Sequence, residues 1–396
     1  MTAGRRHPRS GTAIASVFDV RRWLLAGVAF VAVLIVWIAA QPYIDGATLV
    51  IRAGGLQGPA RRLADLSAVD VTQRIVRARA GGMSMRARVY APASGSSRHT
   101  ILLVSGLHPS GIDEPRLAAL ARTLAEANVT VVTPDIPELS RFEITPALTN
   151  RIEAAAAWLA NESGIPTNGR IGLMGVSFSG GLAVVAAGRP SLRGRLLYVL
   201  SFGGHDDLRR VLEYFCKGNE RLPPHDYGVA VALLNLADRL VPPAQVAPLR
   251  DAVRRFLWAS YLDRSDKPQA RREFAALREV ALALPEPSAT LLTYVNDRDV
   301  KRLGPRLLPH IEPYVDAPAL SPSLSPHPVV PVFLLHGRDD NVIPAAESRK
   351  LAARLRGEVD VRLLITALIS HADADRAAGL ADLTRLAGFW GHLLDR

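Results

Sequence analysis

Cysteine is almost absent: Cys216 is the only one in 396 residues, so no internal disulfide can form and the fold must be held by its core. No Cys/His cluster has zinc-ligand spacing, and no metal or cofactor is expected. Lysine is scarce too, with Lys217, Lys267, Lys301 and Lys350 standing against a formal net charge of +11 that arginine supplies. Those arginines are spread thinly and mixed with Asp and Glu. Aromatics make up only 6% and do not interleave with basic clusters, so a nucleic-acid partner is not expected. What the chain has is apolar material. At 48% hydrophobic and 21% charged it is not disordered, and it can bury one large core or two smaller ones.

The longest apolar run lies near the N-terminus. Trp23 to Ala40 (WLLAGVAFVAVLIVWIAA) carries no charge, and as a helix it would rise about 27 Å, close to the ~30 Å hydrocarbon core of a bilayer. Trp23, Trp37 and Tyr43 suit interfacial depths. Residues 23–44 are therefore expected to be a single transmembrane signal-anchor. A cleaved signal peptide is the alternative, with Ala39-Ala40 as small residues but Ile38 poor at −3. Arg5, Arg6, Arg9, Arg21 and Arg22 precede the run against Asp19 alone, whereas the next twenty residues carry only Asp45 and Arg52. The positive-inside rule then puts residues 1–22 in the cytoplasm and the bulk of the chain outside an inner membrane.

After a connector over 45–66 ending in a short helix, Val69 to Ala91 alternates as strands do, with Gly81-Gly82 as the turn of a hairpin. Strand and helix patterns then alternate. Strands are expected at Thr100–Ser105, Val129–Thr133, Arg170–Met174 and Leu196–Phe202, with helices at Pro115–Ala127, Ala147–Asn161 and Ser179–Ala187. Such repeats argue for a parallel sheet covered on both faces. The alternation stops over 206–331, which is rich in helical patterns and ends in SPSLSPHPVVP. It resumes with strands at Val332–Leu335 and Val359–Thr366 and a helix from Ala377. Residues 67–205 and 332–396 thus form an α/β core, and 206–331 is a helical cap inserted between two strands of its sheet.

The chemistry-bearing motif is Gly175-Val176-Ser177-Phe178-Ser179-Gly180-Gly181, which follows the apolar run RIGLM and opens a helix. A nucleophile elbow needs this context, because the turn is so sharp that residues two away must be small. Ser177 is the expected nucleophile and Ser179 the fallback. Two further signals follow in the order Ser, Asp, His. In LLHGRDDNVIP an apolar strand ends in an acidic turn, where Asp340 is the preferred acid and Asp339 its rival. In LISHAD the loop after the last strand presents His371 as general base. The oxyanion hole is expected from the backbone N–H groups of Leu107 and Phe178. His108 either lines the pocket or supports its turn. His205 and Asp206, at another strand end, either face the pocket or serve a helix cap, and Asp206 or Asp207 could instead supply the acid.

These motifs, LMGVSFSGG, LLHGRDDNVIP and LISHAD, resemble the α/β-hydrolase superfamily. The resemblance covers roughly residues 67–396 outside the cap and is nearest to bacterial dienelactone-hydrolase-like and esterase-like members with a lid after the sixth strand. It implies an eight-stranded, mostly parallel sheet and cofactor-independent hydrolysis of esters, thioesters or related acyl bonds. Two departures stand out: Ser179 occupies the usual Gly position of the elbow, and no HGGG-type sequence marks the oxyanion loop. The expected function is hydrolysis of a small or lipid-like acyl substrate. An acyltransferase or thioesterase of envelope metabolism and a non-catalytic hydrolase-fold binding module are the alternatives.

Overall fold

The computed structural model describes residues 14–218, 225–369 and 380–396. A 40-residue helix α1 (Ile14–Ala53) is followed by α2 (Pro59–Asp65), β1 (Val71–Ala80) and β2 (Met83–Pro92). Gly81 and Gly82 join the two strands with φ of 57° and 80°, backbone that favours glycine. There follow β3 (Thr100–Val104), α3 (Pro115–Glu126), β4 (Thr130–Pro134), α4 (Pro137–Ser140), α5 (Ala147–Asn161), β5 (Ile171–Val176), α6 (Phe178–Ala187) and β6 (Leu196–Phe202). The core closes with β7 (Val332–Gly337), α13 (Ala346–Leu355), β8 (Val361–Thr366) and α14 (Leu380–Leu394). Between β6 and β7 lie α7 (Leu208–Lys217), α8 (Asp226–Leu240), α9 (Pro243–Ser265), α10 (Lys267–Ala283), α11 (Ser288–Asn296) and α12 (Val300–Leu307).

The eight strands form one sheet in the order β1-β2-β4-β3-β5-β6-β7-β8. β2 pairs antiparallel with both β1 and β4, and every other pairing is parallel. Although 206–331 separates them in sequence, β6 and β7 are neighbours, with Val199 opposite Val332 and Phe202 opposite Leu335. The helical segment is thus an insertion into the sheet.

Strand alternation divides the core into two layers. Ile101 and Leu103 of β3, Tyr198 and Leu200 of β6, and Phe333 and Leu335 of β7 face one side, together with Leu117, Leu124, Phe389 and Trp390 of α3 and α14. Leu102, Val104, Val199, Val332 and Leu334 face the other, against α5, α6, α13 and the cap. Burial on both faces explains why these strands read as unbroken apolar runs rather than alternating ones. Because the central strands are parallel, the segments after β3, β5, β6, β7 and β8 all emerge at one edge of the sheet.

The N-terminal region corrects one expectation. Residues 45–53 are not connector: α1 runs unbroken to Ala53 and packs on α14. A methyl group on Gly46 would sit 1.8 Å from the Ala387 carbonyl oxygen, and one on Gly391 would sit 1.8 Å from that of Pro42. Glycine at both positions lets the two backbones touch, and that contact holds the last turns of α1 as helix. Arg98 pairs with Asp45 and Arg52 with Glu126, fixing α1 to the core at two more points. Within Arg22–Ala53 an 18-residue stretch reaches a mean hydropathy of 2.6, and the helix is long and apolar enough to cross a membrane.

Candidate active site

Ser177 joins β5 to α6 with φ 55° and ψ −130°, a conformation that L residues rarely adopt and that costs on the order of 1–3 kcal/mol. Its N–H donates to the Phe202 carbonyl (2.6 Å), and its own carbonyl accepts from Gly180 (2.8 Å), so both sides of the turn are pinned. The turn explains its small neighbours. A Cβ on Gly175 would lie 2.1 Å from the Ser179 carbonyl oxygen. A Cβ on Gly106, in the loop after β3, would lie 3.1 Å from Ser177 Cβ and 3.7 Å from its Oγ. Ser177 is half-buried and lines a cleft at the sheet edge.

Ser179, the fallback nucleophile, is fully buried, and its hydroxyl donates to the Ser105 carbonyl at 2.6 Å. That bond ties α6 to the end of β3 and accounts for serine where the elbow usually has glycine. The next two residues are closely packed as well. A Cβ on Gly180 would come within 2.7 Å of Ser201 Oγ, and one on Gly181 within 2.5 Å of the His205 ring. Phe178, the first residue of α6, is buried and stacks on His205 with ring centroids 5.0 Å apart.

Beyond β7 the acidic turn separates its two aspartates. Asp339 is exposed and lines the cleft. Asp340 is 1% exposed, and its Oδ1 accepts from the N–H groups of Val342 (2.8 Å) and Ile343 (3.0 Å). Its Oδ2 lies 3.5 Å from Nε2 of His336, a buried residue that motif reading missed. The same Nε2 is 2.7 Å from the Ile343 carbonyl, and the ring's Nδ1 is 2.7 Å from Ser348 Oγ. His336 thus braces the turn that holds Asp340, although as the last apolar-strand residue but one it carried no sequence signal beyond its place in LLHG. His371 lies outside the described residues. Leu368 and Ile369, which precede it, line the same cleft as Ser177.

The loop after β3 supplies Leu107 and His108 to the cleft. From the cap, the Tyr227 hydroxyl donates to the Leu107 carbonyl at 2.6 Å, fixing this loop across the domain junction. His108 Nδ1 accepts from Ser110 N–H (3.2 Å), and its ring meets Tyr261 edge-on with centroids 4.7 Å apart. Burial lowers the His108 pKa to about 4, with Glu114 opposing and Arg116 assisting, so the ring is neutral near neutral pH. His108 therefore both lines the pocket and supports its turn.

His205 and Asp206 do not line the cleft, which corrects the pocket role expected for them. His205 is fully buried behind α6, with Nε2 2.8 Å from the Leu320 carbonyl. Asp206 accepts from Arg210 (2.8 Å) and from Arg354 (2.7 Å). Glu347 joins this network by accepting from the N–H groups of Asp206 (3.1 Å) and Asp207 (3.0 Å), while Asp207 caps α7 through Arg210 N–H (3.2 Å). A strand-end position is common to pocket residues and to junction residues, and here the need to join cap to core takes both.

The cleft has a volume of about 1250 Å³, above the roughly 300–1,000 Å³ of most small-molecule pockets. Its walls come from the loops after β3 and β7, from His225 and Tyr227, from α9 through Leu257, Ser260 and Tyr261, and from the end of α1. Among the described residues no group of His, Cys, Asp and Glu could hold a metal ion.

No protein-family model matches the sequence, and no curated protein does. Solved structures are similar in three dimensions. An esterase of Pyrobaculum calidifontis is 17% identical, with 84% of each chain covered and a TM-score of 0.43. Brefeldin A esterase, a bacterial homologue of human hormone-sensitive lipase, is 15% identical over 87% of this chain and 80% of that one, with a TM-score of 0.45. Dienelactone hydrolase from Anabaena variabilis is 16% identical over 81% of this chain and 96% of that one, with a TM-score of 0.42. The strand order, the lone antiparallel β2 and the strained serine between β5 and α6 are those of the α/β-hydrolase fold.

Proposed function

We propose that the protein is a membrane-anchored serine hydrolase that cleaves a carboxylic ester or related acyl bond. Ser177 is the nucleophile, His371 the general base and Asp340 the acid that orients it, with the N–H groups of Leu107 and Phe178 as oxyanion donors. The observation that carries this reading is Ser177 itself: a non-glycine residue held at φ 55° on a strand-to-helix turn, facing a large cleft. Backbone strain of this kind persists where the surroundings over-determine it, and it clusters at reactive sites.

In this mechanism Ser177 Oγ attacks the acyl carbonyl carbon while His371 takes the hydroxyl proton. His371 then returns that proton to the leaving alcohol as the carbonyl–oxygen bond breaks. Water repeats the sequence on the acyl-enzyme, releasing the acid and restoring the serine. Asp340 suits its part because it is buried and already oriented by two amide donors, whereas Asp339 is exposed. The excess of arginine before Trp23 supports a cytoplasmic N-terminus and a hydrolase domain on the far side of the membrane. Purified full-length protein is expected to hydrolyse p-nitrophenyl esters, and Ser177→Ala is expected to lose that activity. Equal turnover by wild type and Ser177→Ala would refute the assignment. For the orientation, a periplasm-dependent reporter fused after Arg396 is expected to be active, and a silent one would reverse the topology.

A further inference from the structure

The cleft beside Ser177 does not stop under the cap. It continues to the C-terminal end of the long apolar helix, where Leu49, Val50, Ala53 and Leu56 line it together with Leu120 of α3 and Trp390 of α14. Leu49 and Trp390 belong to the apolar layer beneath the sheet, and Val50 and Leu120 pack against it. The charged groups on these walls are turned onto one another, Arg52 to Glu126 at 3.3 Å and Arg116 to Glu114 at 2.7 Å. This arm of the cleft thus offers an alkyl chain an apolar lining beside the carbonyl site at Ser177.

The helix that makes this wall is the one long and apolar enough to cross a membrane. It is continuous from Ile14 to Ala53, it packs backbone to backbone on α14 at Gly46 and Gly391, and Gly388 makes room for the Tyr43 ring. No flexible tether lets the cleft swing away from the bilayer. From Tyr43, the last aromatic of the apolar segment, to Leu49, the first residue of the cleft wall, is six residues, or about 9 Å of helix rise. That is roughly the thickness of one polar headgroup layer, ~5–8 Å. From Leu56 at the edge of the wall, 43% exposed, the chain continues to Leu63 and Leu66, 68% and 83% exposed beside Arg61 and Arg62. Leucines next to arginines in this way form a ledge suited to the surface of a lipid layer.

We propose that the end of α1 is one wall of an acyl-chain site, and that the substrate is a membrane amphiphile, a long-chain acyl ester drawn from the adjoining leaflet. This rests on the reading of Ser177 as nucleophile and α1 as anchor. Attack by Ser177 Oγ breaks the carbonyl–alkoxy bond, the alcohol leaves with the serine proton, and water then releases the fatty acid. The anchor does more than tether: it carries the tail site at a fixed height above the bilayer.

The test uses full-length protein in phosphatidylcholine vesicles containing a hexadecanoyl ester with a diazirine near its tail end. After illumination, crosslinks are mapped by peptide mass spectrometry. Adducts within 49–57 and around Leu120 are expected. Adducts confined to 23–43, as any spanning helix would take, overturn the proposal. Crosslinking needs no turnover, so the two readings can fail separately. Protein that hydrolyses butyryl esters but takes no adduct at these positions keeps the hydrolase reading and loses the tail site. Adducts here with no ester hydrolysis support the tail site and refute the hydrolase reading. In turnover, Leu120→Trp fills the arm and is expected to lower the dodecanoyl-to-butyryl ratio of kcat/KM about tenfold. An unchanged ratio contradicts the tail site.

Discussion

Two adjacent strand ends carry chemistry-bearing side chains and use them in opposite ways. After β5, Ser177 is half-buried, backbone-strained and open to the cleft. After β6, His205 and Asp206 are buried, in ordinary backbone conformations, with Asp206 tied to Arg210 and Arg354 and His205 bonded to the Leu320 carbonyl. Side-chain chemistry does not distinguish a reactive group from a structural one. Access and backbone strain do. The β6 end joins the cap to the core, and the β5 end presents a hydroxyl.

The sharpest way to break this comparison is to remove one group from each side. Ser177→Ala is expected to lower kcat by at least ~10⁴-fold with little change in the thermal midpoint. If activity survives, the strained serine is not the reactive one. Asp340→Asn keeps the shape of the turn but removes the charge, and a loss of ~10²–10⁴ in kcat is expected from a histidine left without its orienting carboxylate. Asp206→Asn is expected to do the reverse. It leaves Arg210 and Arg354 short of a buried partner and destabilises by about 3 kcal/mol in denaturant titration, while kcat per folded molecule stays within a few-fold. A drop in kcat without a drop in stability at Asp206 would return that residue to the active site.

Smaller effects sharpen the same distinction. Ser179→Ala removes the buried bond to the Ser105 carbonyl and is expected to cost about 1 kcal/mol of stability. Its kcat is expected to fall less than tenfold, so a loss as deep as that of Ser177→Ala would make Ser179 the nucleophile. His99 offers a pH readout far from the cleft. Burial, and then the nearby Arg98, lower its pKa from 6.5 to about 4. The unfolded chain therefore binds the proton first as pH falls. The stability this residue contributes is fully present above pH 6.5 and is lost between 6.5 and 4, up to ~3 kcal/mol. His99→Gln is expected to flatten that acid limb in thermal melts across the same interval, and an unchanged limb would mean that His99 titrates normally.

Much of the fold was legible because its signals are local. Gly81-Gly82 marked the hairpin, and apolar runs marked strands buried on both faces. The gap between β6 and β7 marked an insertion, since two strands of one sheet flank it. The elbow was legible because few backbone turns demand small residues on both sides of a serine. What stayed hidden depends on contacts between distant segments. The apolar run beginning at Trp23 does not reveal that α1 continues onto α14, because Gly46 acquires meaning only beside Ala387 and Gly391. Tyr227 reaches Leu107 across 120 positions of sequence, and His336 acts through Ser348 and Ile343. The strand-end cluster at His205 and Asp206 read as pocket or cap with equal force, and only burial separated the two. His371 is known here from its sequence position alone.

The most direct test is the site of covalent capture. Full-length protein treated with a fluorophosphonate probe, digested and mapped by tandem mass spectrometry is expected to carry one phosphonyl adduct on Ser177, and none in Ser177→Ala. An adduct on Ser179, or ester turnover that leaves every serine unmodified, would contradict the reading of the strained turn as the reactive centre.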